Sequence, residues 1–217
     1  MRCVFLDLDG TLTNAASGIL NCVDYALDRM GRATLDHSTD QSWIIGPPLW
    51  DTFRTLGVPE GQLDHAVALY RERYSVTGYL ENSLYDGILD QLQILKEADY
   101  SMCLATSKAL SYAVKITDHF GIAPYLIDQF GSQADGTHSD KTSLIAHGLA
   151  QLGITADQAI MIGDRKYDVD GAKANSMKCL GAVYGFGSVD ELTAAGADDL
   201  IMTPNDFAAK VMQNFPI

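Results

Sequence analysis

The sequence predicts an α/β protein: a doubly wound parallel sheet with helices on both faces, interrupted by an inserted α-helical cap. Three observations carry that expectation. From Tyr85 onward, short apolar runs alternate with stretches of helical period, the alternation that builds βαβ units. A further apolar run, Cys3-Val4-Phe5-Leu6, opens the chain and ends in Asp7-Leu8-Asp9-Gly10-Thr11. Between the two, residues 14–80 show only the helical period.

The opening run is continuous and apolar, as a strand buried on both faces requires. In an open parallel sheet such a strand delivers whatever follows it to a crevice at the carboxyl ends of the strands. Ile19, Cys22, Val23, Ala26, Leu27 and Met30 then fall at three-and-four spacing, a helix closed by Gly31. Residues 36–43 are polar and read as a short helix or loop. Gly46-Pro47-Pro48 breaks any helix and restarts one, because proline suits a first turn. Trp50, Phe53 and Leu56, then Leu63, Val67, Tyr70 and Tyr74, continue the helical period around a turn at Gly57-Val58-Pro59-Glu60-Gly61.

After this interval a helix marked by Ile88, Leu89, Leu92 and Leu95 precedes the strand Ser101-Met102-Cys103-Leu104-Ala105, expected to stop at Thr106-Ser107-Lys108. The helix carrying Tyr112, Val114, Ile116 and Phe120 is closed by Gly121. A short strand lies within residues 125–131. A polar loop then leads through Asp140 to Lys141 and a helix marked by Leu144, Ile145, Leu149 and Leu152. Ala159-Ile160-Met161-Ile162 is a buried strand ending in Gly163-Asp164, and residues 179–183 and 199–202 complete the set. The expected organisation is an α/β catalytic core of residues 1–13 and 81–217 and a helical cap of residues 14–80. Because the insertion leaves from the crevice end of the first strand, it is expected to sit over the crevice.

Charge and cysteine usage limit the function classes. Lys and Arg number 15 against 28 Asp and Glu, a formal net charge of −13, with no basic cluster able to neutralise a nucleic-acid backbone. A small anionic substrate stays open, since a local metal and one lysine reverse the field within a pocket. No apolar segment reaches the length of a membrane span, and Met1-Arg2-Cys3 runs into a strand without a basic-then-apolar leader. A cytoplasmic monomer or homodimer without nucleic-acid or membrane contact is expected. Cys3, Cys22, Cys103 and Cys179 form no Cys-x-x-Cys pair and read as buried free thiols. The histidines His37, His65, His119, His138 and His147 lack ligand spacing. Trp43 and Trp50 are expected to pack the helical interior, with stacking on the base of a nucleotide substrate as the alternative, and Arg54 reads as a solvated helix residue or a contact for an anionic leaving group.

Asp7 and Asp9 concentrate the chemistry. Side chains two apart on an extended backbone point the same way, and a hard divalent cation such as Mg²⁺ relieves the repulsion between two such carboxylates. Gly10 permits a sharp turn and Thr11 adds a hydroxyl. Alone, this stretch also suits a capping turn. Thr106-Ser107, Lys141 and Gly163-Asp164-Arg165-Lys166-Tyr167-Asp168 have equally ordinary readings as a helix cap, a solvated helix start and a capped turn. All, however, follow parallel strands and so face one crevice. Together they supply what phosphoryl transfer needs. One carboxylate accepts the phosphoryl group as an aspartyl-phosphate, and a second protonates the leaving oxygen and later activates water. A cation offsets charge, while hydroxyls and a lysine bind the phosphate oxygens.

In this combination the chain resembles the haloacid dehalogenase superfamily of phosphohydrolases. Its motifs are matched in order by Asp7-Leu8-Asp9-Gly10-Thr11-Leu12-Thr13, Thr106, Lys141 and Gly163-Asp164-Arg165-Lys166-Tyr167-Asp168. The resemblance implies Asp7 as nucleophile and Asp9 as general acid/base, with Thr106 and Lys141 completing the catalytic set. It implies Mg²⁺ held by Asp7, the backbone carbonyl of Asp9, and Asp164. Thr106, Ser107 and Lys141 would bind the substrate phosphate, and Asp168 would support the metal's water shell or orient Lys141. The insertion looks like the family's C1 cap. Within the superfamily the chain is similar to the phosphoglycolate phosphatase-like group and to members described as 5′-nucleotidases. The marks are Ile45-Gly46-Pro47-Pro48-Leu49, Asp135-Gly136-Thr137 with Asp140-Lys141, and Tyr184-Gly185-Phe186-Gly187-Ser188. Asn14 departs from a common Asp, and Ala134 from a larger apolar residue. The expected activity is Mg²⁺-dependent hydrolysis of a small phosphate monoester, phosphoglycolate- or nucleoside-monophosphate-like. A phosphomutase, a dehalogenase and a receiver-like signalling domain are the alternatives. Asp9 counts against the dehalogenase and the helical insertion against the receiver.

Overall fold

Cys3, Val4, Phe5 and Leu6 are fully buried and form β1 (Cys3–Leu6). Their lack of polar side chains follows from their place: β1 is a central strand with a parallel neighbour on each side. The computed structural model describes residues 2–133 and 136–217; Ala134 and Asp135, two of the subgroup marks, lie outside the described residues. After β1 come β2 (Thr13–Asn14), α1 (Ala16–Arg29), α2 (Leu49–Thr55), α3 (Leu63–Tyr74) and β3 (Ser83–Leu84). The remainder alternates: α4 (Ile88–Glu97), β4 (Ser101–Ala109), α5 (Leu110–His119), β5 (Asp128–Ser132), α6 (Lys141–Leu152) and β6 (Ala159–Gly163). It ends with α7 (Lys166–Ala174), β7 (Lys178–Ala182), α8 (Val189–Ala195), β8 (Asp199–Ile201) and α9 (Phe207–Asn214).

The chain divides into two compact units, Met1–Thr13 with Leu84–Ile217, and Asn14–Ser83. The first is built on a six-stranded parallel sheet in the order β5-β4-β1-β6-β7-β8. Phe5 lies opposite Cys103 on one side and Met161 on the other, and Leu6 opposite Leu104 and Ile162. From β1 the chain winds outward through β4 and β5, then crosses to β6 and winds the other way. The strand order therefore reverses at β1, and a ligand crevice opens there at the carboxyl ends. One face of the sheet is sealed by Phe5, Cys103, Phe130, Met161, Leu144, Ile145 and Val169 in a single cluster. Each large side chain so buried stabilises by about 1.5–3 kcal/mol.

Two elements differ from expectation. β4 does not stop at Thr106 but reaches Ala109, with its register against β5 shifting between Thr106 and Ala109. Ser107 and Lys108 are the extra residues of that bulge, which re-aims a side chain beside the crevice. Residues 166–168, read as part of a turn, already belong to α7, because the Asp168 carboxylate accepts from the backbone N–H of Arg165 (3.1 Å) and starts the helix there.

In the helical unit, Ile19, Cys22, Val23, Ala26 and Leu27 of α1 and Ala66, Val67 and Tyr70 of α3 are buried. Arg73 at the end of α3 grips Glu81 with both terminal nitrogens at 2.7 Å. Trp43 and Trp50 do not pack the interior: they are 38% and 37% exposed. Trp50 donates from Nε1 to Asp64 and lies under the Arg71 guanidinium, so its polar edge and its ring face are used at the surface. Arg54 is exposed and paired with Asp51 and Glu60. All four cysteines are buried free thiols, with Cys22 on a helix rather than a strand. Among the described residues no helix is long and apolar enough to cross a membrane.

Candidate active site

Asp7 is still in the sheet: its backbone N–H donates to the Ile162 carbonyl at 2.9 Å. The chain then turns on Leu8, whose carbonyl accepts from Thr11, Leu12 and Thr13. Gly10 makes this turn possible for two reasons. Its φ of 88° is left-handed, and a Cβ there would lie 2.1 Å from Asp164 Oδ2. Asp164 is brought up by β6, which runs beside β1 and ends one residue earlier at Gly163.

Lys141 is the first residue of α6, whose start is fixed by Asp140 accepting from the Ser143 N–H at 2.9 Å. It is not a solvated helix start. Its ammonium is buried, donates to the Ala105 carbonyl at 2.8 Å, and lies 2.8 Å from Asp7 Oδ1 and 2.6 Å from Asp168 Oδ1. Thr106, at the end of the regular part of β4, is buried, and its Oγ1 accepts from the Lys108 N–H. Ser107 is exposed.

Asp9 does not point at Lys141. Its Oδ2 lies 2.5 Å from Lys108 Nζ, the two side chains being 18% and 9% exposed, and its Oδ1 is buried without a hydrogen-bond partner among the described residues. Lys108 is the residue that sequence reasoning passed over. It was visible only as part of a strand end, two positions after Thr106, and the bulge that aims it depends on how β4 meets β5.

Asp7, Asp164 and Asp168 each offer an oxygen within 4.8 Å of the others, and all are buried. Asp164 Oδ2 accepts from the Phe186 N–H at 2.8 Å, while Asp164 Oδ1 is buried with no hydrogen-bond partner among the described residues. Burial pushes the Asp164 carboxyl well up, and the charges of Asp168 and Asp7 push it further. Burial raises Asp168 to about 6 against the opposing pull of Lys141. Asp9 is raised by burial, with Lys108 working against that rise. Burial alone would lower Lys141, but Asp168 and Asp7 hold it above the ordinary lysine range. Four carboxylates thus face two ammonium groups. This charge deficit, the oxygen-only donor set and the orphaned Asp164 Oδ1 fit a hard divalent cation.

Of the residues singled out from the sequence, the crevice brings together Asp7, Lys141, Asp164 and Asp168 directly, with Asp9 and Thr106 on the adjoining turn and strand end. A doubly wound sheet whose switch point carries a metal-competent carboxylate cluster and a buried lysine defines a class of α/β protein with its site at the crevice. Comparison with known proteins narrows it. The model of the haloacid dehalogenase-like hydrolases matches residues 4–182. A 5′-nucleotidase of Pseudomonas aeruginosa is 42% identical over 197 residues, covering 88% of this chain and 86% of that protein. The tyrosine-protein kinase PtkA of Mycobacterium tuberculosis is 38% identical over 187 residues, 86% of this chain but 64% of that protein. Among solved structures, a "predicted phosphatase" from Clostridium acetobutylicum superposes with a TM-score of 0.91 at 37% identity, covering 98% of each chain. The chain belongs to the haloacid dehalogenase-like hydrolase family, and its relatives include phosphatases.

Proposed function

We propose that this enzyme is a Mg²⁺-dependent phosphatase of small phosphate monoesters, with Asp7 as its nucleophile and the helical unit as the cap that selects the leaving group. The observation that carries the reading is the buried group of Asp7, Asp164, Asp168 and Lys141, with Asp164 Oδ1 left unsatisfied. A carboxylate oxygen of Asp7 forms a bond to phosphorus as the bond to the ester oxygen breaks, and protonated Asp9 gives its proton to that leaving oxygen. Asp9, now a carboxylate, takes a proton from water. The resulting hydroxide oxygen bonds to phosphorus, the Asp7–phosphorus bond breaks, and inorganic phosphate leaves. Burial favours the protonated Asp9 that the first half needs, and Lys108 favours the carboxylate that the second half needs. Thr106 and Lys141 bind phosphate oxygens, with Ser107 beside them, and Asp168 holds Lys141 in place. Asp7, Asp164 and the backbone carbonyl of Asp9 would hold Mg²⁺, which when bound offsets negative charge on the transferring phosphoryl group.

A nucleoside monophosphate is the first substrate to test, given the relative named 5′-nucleotidase, and phosphoglycolate the second. The experiment is phosphate release from a panel of monoesters with Mg²⁺, comparing kcat/KM. Turnover with at least one ester, lost in Asp7→Asn, is expected; no release from any ester, or an active Asp7→Asn protein, overturns the reading. The likeness to PtkA makes phosphoryl transfer from ATP to a protein tyrosine the competing outcome, read by phosphotyrosine formation without free phosphate.

A further inference from the structure

The segment after β7, Tyr184-Gly185-Phe186-Gly187-Ser188, has no part in the reaction as described, yet it is built around one carboxylate. Gly185 N–H donates to the Ala182 carbonyl at 3.2 Å, turning the chain back over Asp164. A Cβ on Gly185 would lie 2.4 Å from Asp164 Cβ and 2.3 Å from the Gly10 carbonyl oxygen, and one on Gly187 would lie 1.9 Å from the Asp164 carbonyl oxygen. The backbone can pass this close only without side chains at both positions. Between them the Phe186 N–H holds Asp164 Oδ2 at 2.8 Å. The start of the loop is tied down by Tyr184, whose hydroxyl donates to the Thr11 carbonyl at 2.9 Å and whose ring meets Tyr85 edge-on at 5.0 Å.

We infer that this loop is a positioning device for the metal ligand Asp164, and that Tyr184 is the positioning residue that locks it to the turn carrying Asp9. A carboxylate swings about its last torsion. With Oδ2 pinned by Phe186, the buried, unpartnered Oδ1 has one direction left, so a cation meets a ligand that is already ordered. Outer hydrogen bonds of this kind tune metal affinity without touching the metal. The inference rests on the reading of Asp164 as a ligand of Mg²⁺.

Titration calorimetry of Mg²⁺ into chelator-stripped protein tests it, with thermal unfolding of the metal-free proteins alongside. Tyr184→Phe, which removes only the hydroxyl, is expected to raise the Kd for Mg²⁺ roughly tenfold. Tyr85→Phe, which removes the neighbouring hydroxyl but not the bond to Thr11, leaves the Kd within about twofold, a comparison that a general loss of packing would not reproduce. Gly187→Ala, which drives the loop off Asp164 from its other end, weakens binding as well and serves as the readout should Tyr184→Phe not fold. Asp164→Asn separates the two levels. If it loses Mg²⁺ binding while Tyr184→Phe and Gly187→Ala bind like the parent, the loop inference is overturned and the metal reading stands. Parental affinity in Asp164→Asn overturns both.

Discussion

Lys108 and Lys141 show how differently two buried ammonium groups can serve one crevice. Lys141 is shared between Asp7, Asp168 and a backbone carbonyl, so its charge is committed to fixing the surroundings of Asp7, the proposed nucleophile. Lys108 pairs with Asp9 and pulls against the burial-driven rise of its carboxyl. Replacing Lys108 by Met removes the charge that opposes the burial-driven rise of Asp9. The Asp9 carboxyl then ionises at higher pH, and the limb of the kcat/KM profile governed by that ionisation moves toward alkaline pH. A pH–rate profile of Lys108→Met superimposable on that of the parent would show that Lys108 does not act on Asp9. Asp7→Asn keeps the size of the side chain but removes the charge that the proposed mechanism uses for attack. A fall of kcat by at least about a thousandfold is expected, with folding retained, as read by phosphate release and circular dichroism.

At the scale of elements, β1, β4, β6 and the helices of the core were legible because burial on both faces leaves an uninterrupted apolar run and burial on one face a three-and-four period. Asp7, Lys141 and Asp164 could be picked out for a related reason: a charged residue directly after such a run, or at the head of the following helix, falls at the crevice by topology alone. What was not legible depends on contacts between elements. The bulge at Ser107 and Lys108 arises from the register of β4 against β5, which neither segment encodes by itself. Trp50 fits the helical period as well as any core residue does, yet its ring edge bonds Asp64 and its face meets Arg71 at the surface. α7 begins early because Asp168 caps it while also meeting Lys141, a double use that a turn pattern does not reveal. The start of α6 offers a direct test of an element's part in placing a side chain. Asp140→Ala removes the cap that precedes Lys141 and is expected to cost about 0.5–2 kcal/mol in urea unfolding, with kcat reduced because Lys141 starts that helix.

Over the whole molecule, the buried carboxylates of the crevice work against stability near neutral pH, and a cation bound there would offset them. Surface carboxylates such as Asp36, Asp40 and Asp199 are held below their ordinary range by hydrogen bonds, so they stabilise the fold above pH about 4 and lose that effect only in stronger acid. Asp168 does the opposite. Its folded value of about 6 lies above the ordinary 3.8, and Asp164 is raised too. Between those values the folded chain binds more protons than the unfolded one, so stability falls as pH rises. In metal-free protein the free energy of unfolding should therefore drop from pH 5 to pH 7 by on the order of 1–3 kcal/mol. On the proposed reading Mg²⁺ would bind the deprotonated carboxylates of the native state alone, and at about a hundred times its Kd it would add about 2.7 kcal/mol. It would add least at pH 5, where it competes with protons. Urea unfolding at both pH values, with chelator and with saturating Mg²⁺, measures the two effects together. A metal-free stability that stays level or rises from pH 5 to pH 7 would mean that Asp164 and Asp168 do not carry the strain assigned to them. A Mg²⁺ increment equal at both pH values would mean that the cation does not bind in competition with their protons.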